Sequence, residues 1–136
     1  MTLMGITVDS NFVIDALRGV PSALAKSKEI DGRQEAKFLS TPVLYEISAG
    51  LLFTRSRSEE AAFRKMVSRF AVLQFDIPSA IKAAEMRAEL MRLGKVKGHI
   101  DVMIAGIASA GGHTLVSRDK DLLEVSASIG LEMETY

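Results

Sequence analysis

The sequence predicts an α/β fold with a central, mostly parallel sheet. Short apolar segments typical of buried strands alternate along the chain with amphipathic segments at helical spacing. Acidic side chains also follow apolar segments directly, as Asp9 does in the stretch TVDSNFVIDAL, residues 7–17. Because the carboxyl ends of parallel strands share one edge of a sheet, this placement agrees with the same fold.

The first third of the chain predicts two strands and three helices. Strand one covers residues 6–8, and the short amphipathic helix after it ends at Gly19. A second helix over residues 22–30 stops at an Asp-Gly pair. Strand two covers residues 36–41, and a proline suits the first turn of the next helix, residues 43–54.

The middle of the chain predicts a helix, a strand and a longer helix. Ser58 is predicted to cap the first of these helices, because two glutamates follow it and acids are favourable in a first turn. Strand three covers residues 72–77. A long helix then opens at Pro78 and ends at Gly94.

The last third predicts two helices and two strands in alternation. A helix over residues 100–110 ends at a Gly-Gly pair, and His113 is predicted to be a turn residue after it. Strand four covers residues 114–117, a short helix residues 120–127, and a terminal strand residues 131–135. No linker or repeat interrupts the pattern, so residues 1–136 are predicted to form a single domain.

Composition excludes several classes of protein. The chain of 136 residues has no cysteine, which excludes a disulfide framework and a thiolate zinc site. The longest nearly apolar stretch, residues 102–112, is too short to span a bilayer. The N-terminus lacks the basic region and cleavage site of a signal peptide. We therefore expect a cytoplasmic protein that is not inserted in a membrane.

Charge is balanced globally but clustered locally. Lysine plus arginine and aspartate plus glutamate both number 17. Basic residues nevertheless concentrate in two segments: Arg55, Arg57, Arg64, Lys65 and Arg69, and then Arg92, Lys95 and Lys97 around Gly94. A basic surface beside an acidic pocket would suit a polyanionic substrate, whereas a solvated helix face would explain the same residues.

Four carboxylates fall at predicted strand ends or helix starts: Asp9, Glu46, Asp101 and Asp119. At the carboxyl edge of a parallel sheet they would converge in space. Converging carboxylates repel one another, and divalent cations commonly offset that charge. Oxygen ligands are those that Mg²⁺ and Mn²⁺ prefer, so the pattern predicts such a metal site. Taken singly, the three aspartates could instead cap or stabilise the starts of helices.

Neighbouring polar residues receive secondary roles. Asp121 is a possible supporting residue or alternative ligand, and Asp15 is predicted to be structural because it lies well inside its helix. His99, Arg118 and Lys120 could contact a substrate phosphate, although exposed surface positions would also explain them.

Three segments resemble the PIN-domain ribonucleases, and among them the VapC-type toxins of toxin–antitoxin pairs. They are VDSNFVID near the N-terminus, STPVLYEISAGL in the middle and HIDVMIAGIASAGGHTLVSRDKDL near the C-terminus. The resemblance covers essentially the whole chain, in the family's order and spacing. It implies a three-layer α/β/α fold with a central parallel sheet flanked by helices.

The resemblance also implies an activity and partners. It implies metal-dependent hydrolysis of single-stranded RNA, with Mg²⁺ or Mn²⁺ held by Asp9, Glu46, Asp101 and Asp119. Ser10 and Ser117 stand where the family usually has threonine, and each keeps a hydroxyl that could orient a carboxylate or water. An antitoxin protein and a second copy of the chain are the implied partners.

The chain departs from the family in two places. Residues 98–100 replace a turn that often contains proline, and Leu122-Leu123 stand where an aromatic residue is more usual after the last acid. These differences weaken the subfamily assignment more than the fold.

Other functions remain compatible with the sequence. A housekeeping PIN nuclease in RNA maturation would have no antitoxin, and a catalytically inactive PIN domain would serve as a binding module. A receiver-like signalling module needs a phosphoacceptor aspartate at a later strand end, where only Asp76 is available.

Overall fold

The computed structural model describes residues 4–136, and within that range the chain forms five strands and seven helices. The elements are β1 (Gly5–Val8), α1 (Ser10–Leu17), α2 (Pro21–Asp31), β2 (Ala36–Ser40), α3 (Thr41–Thr54), α4 (Arg57–Val67), β3 (Ala71–Leu73), α5 (Ile77–Arg92), α6 (His99–Gly111), β4 (Thr114–Val116), α7 (Lys120–Val125) and β5 (Glu132–Glu134).

The five strands form one sheet in the order β3-β2-β1-β4-β5, and every neighbouring pair is parallel. In the register, Val8 of β1 lies opposite Val116 of β4, and Thr7 lies opposite Phe38 of β2. The predicted α/β class is confirmed.

The strand order also fixes the layers. The chain moves from β1 through β2 to β3 in one direction, then crosses back beyond β1 to β4 and β5. Because parallel crossovers are almost always right-handed, α1 to α4 cover one face of the sheet and α5 to α7 the other. The order reverses at β1, so the carboxyl ends of β1 and β4 form the crevice in which open α/β sheets bind ligands.

The core lies between the sheet and these two helix layers. Its fully buried side chains include Ile6, Leu39 and Leu115 from the strands and Phe12 and Leu90 from the helices. Burial of each large apolar side chain stabilises the fold by about 1.5–3 kcal/mol.

Gly106 lets α6 pack closely against α5. A Cβ at this position would lie 2.7 Å from both Ala83 Cβ and Ser79 O, which is closer than atoms can approach. The glycine therefore sets the depth of α6, and with it the position of Asp101 in the first turn of that helix.

The structure corrects several predicted boundaries. The helix α3 begins at Thr41 instead of residue 43, so Glu46 lies in its second turn and not at the helix start. Two further corrections have a clear physical reason. Ser56, rather than Ser58, caps α4, because Ser56 Oγ accepts a hydrogen bond from the backbone N–H of Glu59. Strand three ends at Leu73 instead of continuing to residue 77. Asp76 ends the extended segment, since its carboxylate caps α5 by accepting from the N–H of Ser79.

His113 is not a simple turn residue. Its ring is buried, accepts a hydrogen bond from the N–H of Gly5 at 3.0 Å, and packs against Phe38 with ring centroids 4.7 Å apart. Burial lowers the pKa of His113. The ring therefore joins β1 to the end of α6 as a neutral group, a role that its position after two glycines did not indicate.

Across residues 4–136, no helix combines the length and apolar character needed to cross a bilayer.

Candidate functional site

Asp9 lies where β1 meets α1. Its Oδ1 accepts a hydrogen bond from the N–H of Phe12 at 2.8 Å, which caps α1, and its own N–H donates to Val116 O of β4 at 3.2 Å. The side chain is buried. Asp9 is thus both a helix cap and a carboxylate at the crevice between β1 and β4, so the two sequence interpretations do not exclude each other.

Asp119 repeats this arrangement after β4. Its Oδ1 accepts from the N–H of Leu122 at 3.1 Å and caps α7, while Ser117 Oγ accepts from the N–H of Asp119 at 3.0 Å. Because β1 and β4 are neighbours in the sheet, the two caps place their carboxylates beside each other.

Asp101 and Glu46 approach the same crevice from helices. Asp101 lies in the first turn of α6 and Glu46 in α3, and both are half-buried. Gly98 caps α6. A Cβ on this glycine would lie 3.4 Å from Asp101 Oδ2, in van der Waals contact with the carboxylate.

The electrostatics show that the four acids share one environment. Burial raises the pKa of Asp9, and the charges of Asp101 and Asp119 add to the effect, while Ser117 and the N–H of Phe12 oppose it. Burial likewise raises the pKa of Asp101; Lys97 opposes this shift, and the charges of Glu46 and Asp119 add to it. The structure therefore brings the predicted carboxylates into mutual electrostatic range.

Lys97 also belongs to this site, although the sequence indicated only that it is part of a basic surface. Its Nζ lies 2.5 Å from Asp119 Oδ2 and 4.0 Å from Asp121 Oδ2. A lysine four residues before Asp101 was visible in the sequence, but only the path of the chain between α5 and α6 shows that it turns toward the acids.

The four acids do not form a tight ligand cluster. Within the described part of the chain, no group of three or more aspartate, glutamate or histidine side chains is close enough to hold a metal ion together. Mg²⁺ is commonly bound by only one or two carboxylates, with waters completing its coordination. Asp9 is buried and Asp101 is half-buried, and burial raises the pKa of both carboxylates. A bound cation would offset the charge that burial disfavours, so this pair fits such an ion.

Two buried hydroxyls lie at the same edge of the sheet. Ser10 follows Asp9, and Ser40 ends β2; among residues 4–136 neither Oγ has a hydrogen-bond partner. Buried hydroxyls are normally paired, so unpaired ones suggest a site that contacts water or a ligand. Ser10 was predicted to support the site. Ser40 was missed, because a serine before a proline helix start reads as an ordinary cap.

Asp15 and Tyr136 position the basic residue next to Asp119. The Tyr136 hydroxyl donates to Asp15 Oδ2 at 2.6 Å, and Arg118 Nε lies 3.3 Å from the same oxygen. The Tyr136 ring also packs edge-on against Phe12, with centroids 5.1 Å apart. Asp15 is therefore structural, as expected, and it holds Arg118 at the rim of the crevice.

The remaining polar candidates are exposed at the rim. Asp121 has a side chain that is 51% exposed and lies 3.6 Å from Lys95 Nζ. His99 and Lys120 are exposed at the first positions of α6 and α7. These side chains can meet a substrate approaching from solvent.

An apolar groove lies between α3 and α4. It is lined by Leu44, Leu51, Leu52, Phe63 and Val67. A second, smaller groove shares Leu51 with the first and reaches Glu46. The two together lead along α3 to the acidic crevice.

Comparisons with known proteins agree with this arrangement. Residues 6–127 match the family model of the PIN domain. The chain is 28% identical over 120 residues to the tRNA(fMet)-specific endonuclease VapC of Shigella flexneri, an alignment that covers 86% of this chain and 88% of that protein.

Two solved structures are similar over almost their whole length. VapBC of Salmonella typhimurium bound to DNA is 27% identical with a TM-score of 0.76, covering 97% of this chain and 98% of the other. VapBC2 of Rickettsia felis, bound to a DNA fragment from its promoter, is 22% identical with a TM-score of 0.80, covering 96% and 98%.

Proposed function

Because the chain belongs to the PIN-domain family, we propose that it is an endoribonuclease of the VapC type, the toxin of a toxin–antitoxin pair. It hydrolyses phosphodiester bonds of single-stranded RNA and leaves a 5′-phosphate and a 3′-hydroxyl. The observation that carries the proposal is the convergence of Asp9, Asp101 and Asp119 at the reversal of strand order, supported by the full-length similarity to an endonuclease.

A divalent metal ion is part of the proposal. Asp9 and Asp101 would hold Mg²⁺ or Mn²⁺, with Glu46 and Asp119 as the further acids of the site. When bound, such an ion supplies a water of lowered pKa and stabilises negative charge on the phosphate.

The chain's own residues orient the reactants. The hydroxyls of Ser10 and Ser40 are buried at this edge of the sheet without a hydrogen-bond partner in the described chain, so they can orient a neighbouring carboxylate or an enclosed water. Ser117 Oγ accepts a hydrogen bond from the N–H of Asp119, and the Ser117 side chain also hydrogen-bonds the Asp9 carboxylate. It therefore fixes the two acids relative to each other.

The substrate approaches along the basic rim. Arg118 is held by Asp15 next to Asp119, and Lys120 follows at the start of α7. Both are exposed and can bind the phosphates that flank the cleaved bond. Phosphate contacts carry most of the affinity for nucleic acid and do not select sequence, so the target RNA is chosen elsewhere on the surface.

An antitoxin protein is the proposed partner. The groove between α3 and α4 offers Leu51, Leu52 and Phe63 to an apolar segment, and it leads to Glu46. A segment bound there would block RNA from the acidic crevice.

A homodimer in the cytoplasm is the proposed state of the free chain. Val72 of the edge strand β3 and Ile77 and Ile81 of α5 are exposed apolar side chains on neighbouring elements. Sedimentation of the purified protein measures this assembly directly.

The test is cleavage of a labelled single-stranded RNA with Mg²⁺, with Mn²⁺ and with EDTA. Asp101→Asn should abolish cleavage, whereas Asp31→Asn, the same change on the surface of α2, should leave it intact. Cleavage that persists in EDTA or in Asp101→Asn would contradict the proposed site.

A catalytically inactive binding module is the second candidate, favoured by one observation. Lys97 already neutralises Asp119. Folded protein, free of any bound partner, that binds RNA without cleaving it under either metal would establish this alternative.

A further inference from the structure

Lys97 occupies a place in the acidic crevice where a cation is expected. We propose that Lys97 is a resident cation of the site, which competes with a divalent metal ion for the Asp119 carboxylate. The inference rests on the proposed function, because it concerns the same metal site. It assigns a role to a residue that lies outside the set of four acids.

The geometry of Lys97 is unlike that of a surface lysine. Its side chain is 16% exposed and that of Asp119 is 15% exposed, with 2.5 Å between Nζ and Oδ2. Lysine is rarely buried to this extent unless it is paired. Lys95, two residues earlier, is 22% exposed and pairs instead with exposed carboxylates, at 3.1 Å from Glu124 and 3.6 Å from Asp121.

The backbone at Lys97 is also held in place. Arg87 Nη1 of α5 donates a hydrogen bond to Lys97 O at 3.0 Å. Gly94, at a φ of +73°, turns the chain after α5, and Gly98 caps α6 immediately after the lysine. The segment between the two helices is thereby fixed so that this one side chain points toward Asp119.

As a result, only one of the four carboxylates in the described crevice has a cationic partner. Among residues 4–136, no lysine or arginine nitrogen lies within 4.0 Å of a carboxylate oxygen of Asp9, Glu46 or Asp101, whereas Asp119 has Lys97. Burial lowers the pKa of Lys97. The bond to Asp119 and the charges of Asp119, Asp101 and Asp121 outweigh that effect, so the pKa is raised and the amine stays charged.

This division predicts how metal enters the site. An ion can bind between Asp9 and Asp101 without breaking an ion pair, but ligation by Asp119 requires Lys97 to move away. Two positive charges a few ångströms apart in a half-buried site repel strongly. Removal of the lysine charge should therefore tighten metal binding by at least about tenfold, or admit an additional ion.

The experiment is an isothermal calorimetric titration of the full chain with Mn²⁺ alone. Lys97→Met and Lys97→Gln remove the charge, Lys97→Arg keeps it, and Lys95→Met removes a charge from the same segment outside the crevice. Circular dichroism checks that each variant is folded. We expect both neutral variants at position 97 to bind Mn²⁺ more tightly, or to bind one more ion per chain, while Lys97→Arg and Lys95→Met stay near wild type.

The outcomes separate this inference from the proposed function. Wild-type protein that binds Mn²⁺ and cleaves RNA, with unchanged affinity and stoichiometry in both neutral variants, would overturn the role of Lys97 alone. Weaker Mn²⁺ binding in those variants would overturn it too, since Lys97 would then be organising Asp119 for the metal. If neither wild type nor the variants bind Mn²⁺ and none cleaves RNA, the metal-dependent nuclease fails as well.

Discussion

Two clusters of charged side chains differ sharply in how well their charges are balanced. In β5, Glu134 accepts hydrogen bonds from Lys26 Nζ at 2.7 Å and from both terminal nitrogens of Arg33 at 2.7 and 2.8 Å. These bonds lower the pKa of Glu134 to about 2. At the crevice, burial raises the pKa of Asp9 and of Asp101. The charge of Lys97 opposes the shift of Asp101, but among residues 4–136 neither carboxylate forms an ion pair.

The difference separates a structural cluster from the proposed functional one. The pKa of Glu134 is lower in the folded protein than in the unfolded chain, so its negative charge stabilises the folded state. Asp9 and Asp101 are ionised at a cost to folding, because burial disfavours their charged forms. Perturbed carboxylates of this kind concentrate at functional sites, where a ligand rather than the fold supplies the compensating charge.

The largest expected effect is that of Asp9→Asn. Cleavage of RNA should fall by at least about a hundredfold, since one of the two proposed metal-ligand carboxylates is lost. Thermal stability at neutral pH should nevertheless rise, because asparagine caps a helix as well as aspartate and carries no buried charge. Because the folded pKa of Asp9 is raised, its ionisation destabilises wild type only as pH rises above about 3.8. The higher stability of Asp9→Asn should therefore disappear in strong acid.

The matched control is Asp76→Asn at the cap of α5. Asp76 caps its helix through the same kind of bond, but the hydroxyl and N–H of Ser79 lower the pKa of Asp76. The same substitution should therefore lower the melting temperature slightly at neutral pH. A fall in melting temperature for both variants would show that Asp9 serves the fold in the same way as Asp76.

The second effect is that of Glu134→Gln on stability. One-third exposure of the Glu134 side chain weakens its ion pairs, so we expect a loss of about 1–2 kcal/mol at pH 7 in urea unfolding. Because the folded pKa of about 2 lies below the ordinary 4.5, this stabilisation is present above pH 4.5 and is lost as pH falls toward 2.

The pH series provides the control for Glu134. Wild type and Glu134→Gln should converge in stability near pH 2 and differ most above pH 4.5. A constant difference between the two proteins at all pH values would mean that packing, rather than charge, explains the loss.

The smallest effect should follow Asp121→Asn. This side chain is 51% exposed and lies 4.0 Å from Lys97, so it adds only a screened charge to the crevice. We expect stability within about 0.5 kcal/mol of wild type and cleavage within about threefold. A loss as large as that of Asp9→Asn would identify Asp121 as a metal ligand.

Local sequence determined much of the fold and the positions of the four acids along it. The alternation of apolar strands with amphipathic helices follows from side-chain periodicity. Asp9, Asp101 and Asp119 lie at boundaries that neighbouring residues define, whereas Glu46 lies inside α3. Asp9 and Asp119 could therefore be placed at strand ends from the residues beside them. Even there, the local pattern does not decide between Ser56 and Ser58 as the cap of α4, because both serines precede the two glutamates.

Only the tertiary structure decided which side chains complete these clusters. Lys97 is 22 residues from Asp119, His113 is 108 residues from Gly5, and Glu134 is 101 residues from Arg33. Such contacts depend on how α5, α6 and β5 pack against the sheet, and no short stretch of sequence encodes that packing. The sequence by itself placed the carboxylates at one edge of the sheet. The fold decided that two cations neutralise Glu134, that Lys97 pairs with Asp119, and that Asp9 and Asp101 have no ion-pair partner among residues 4–136.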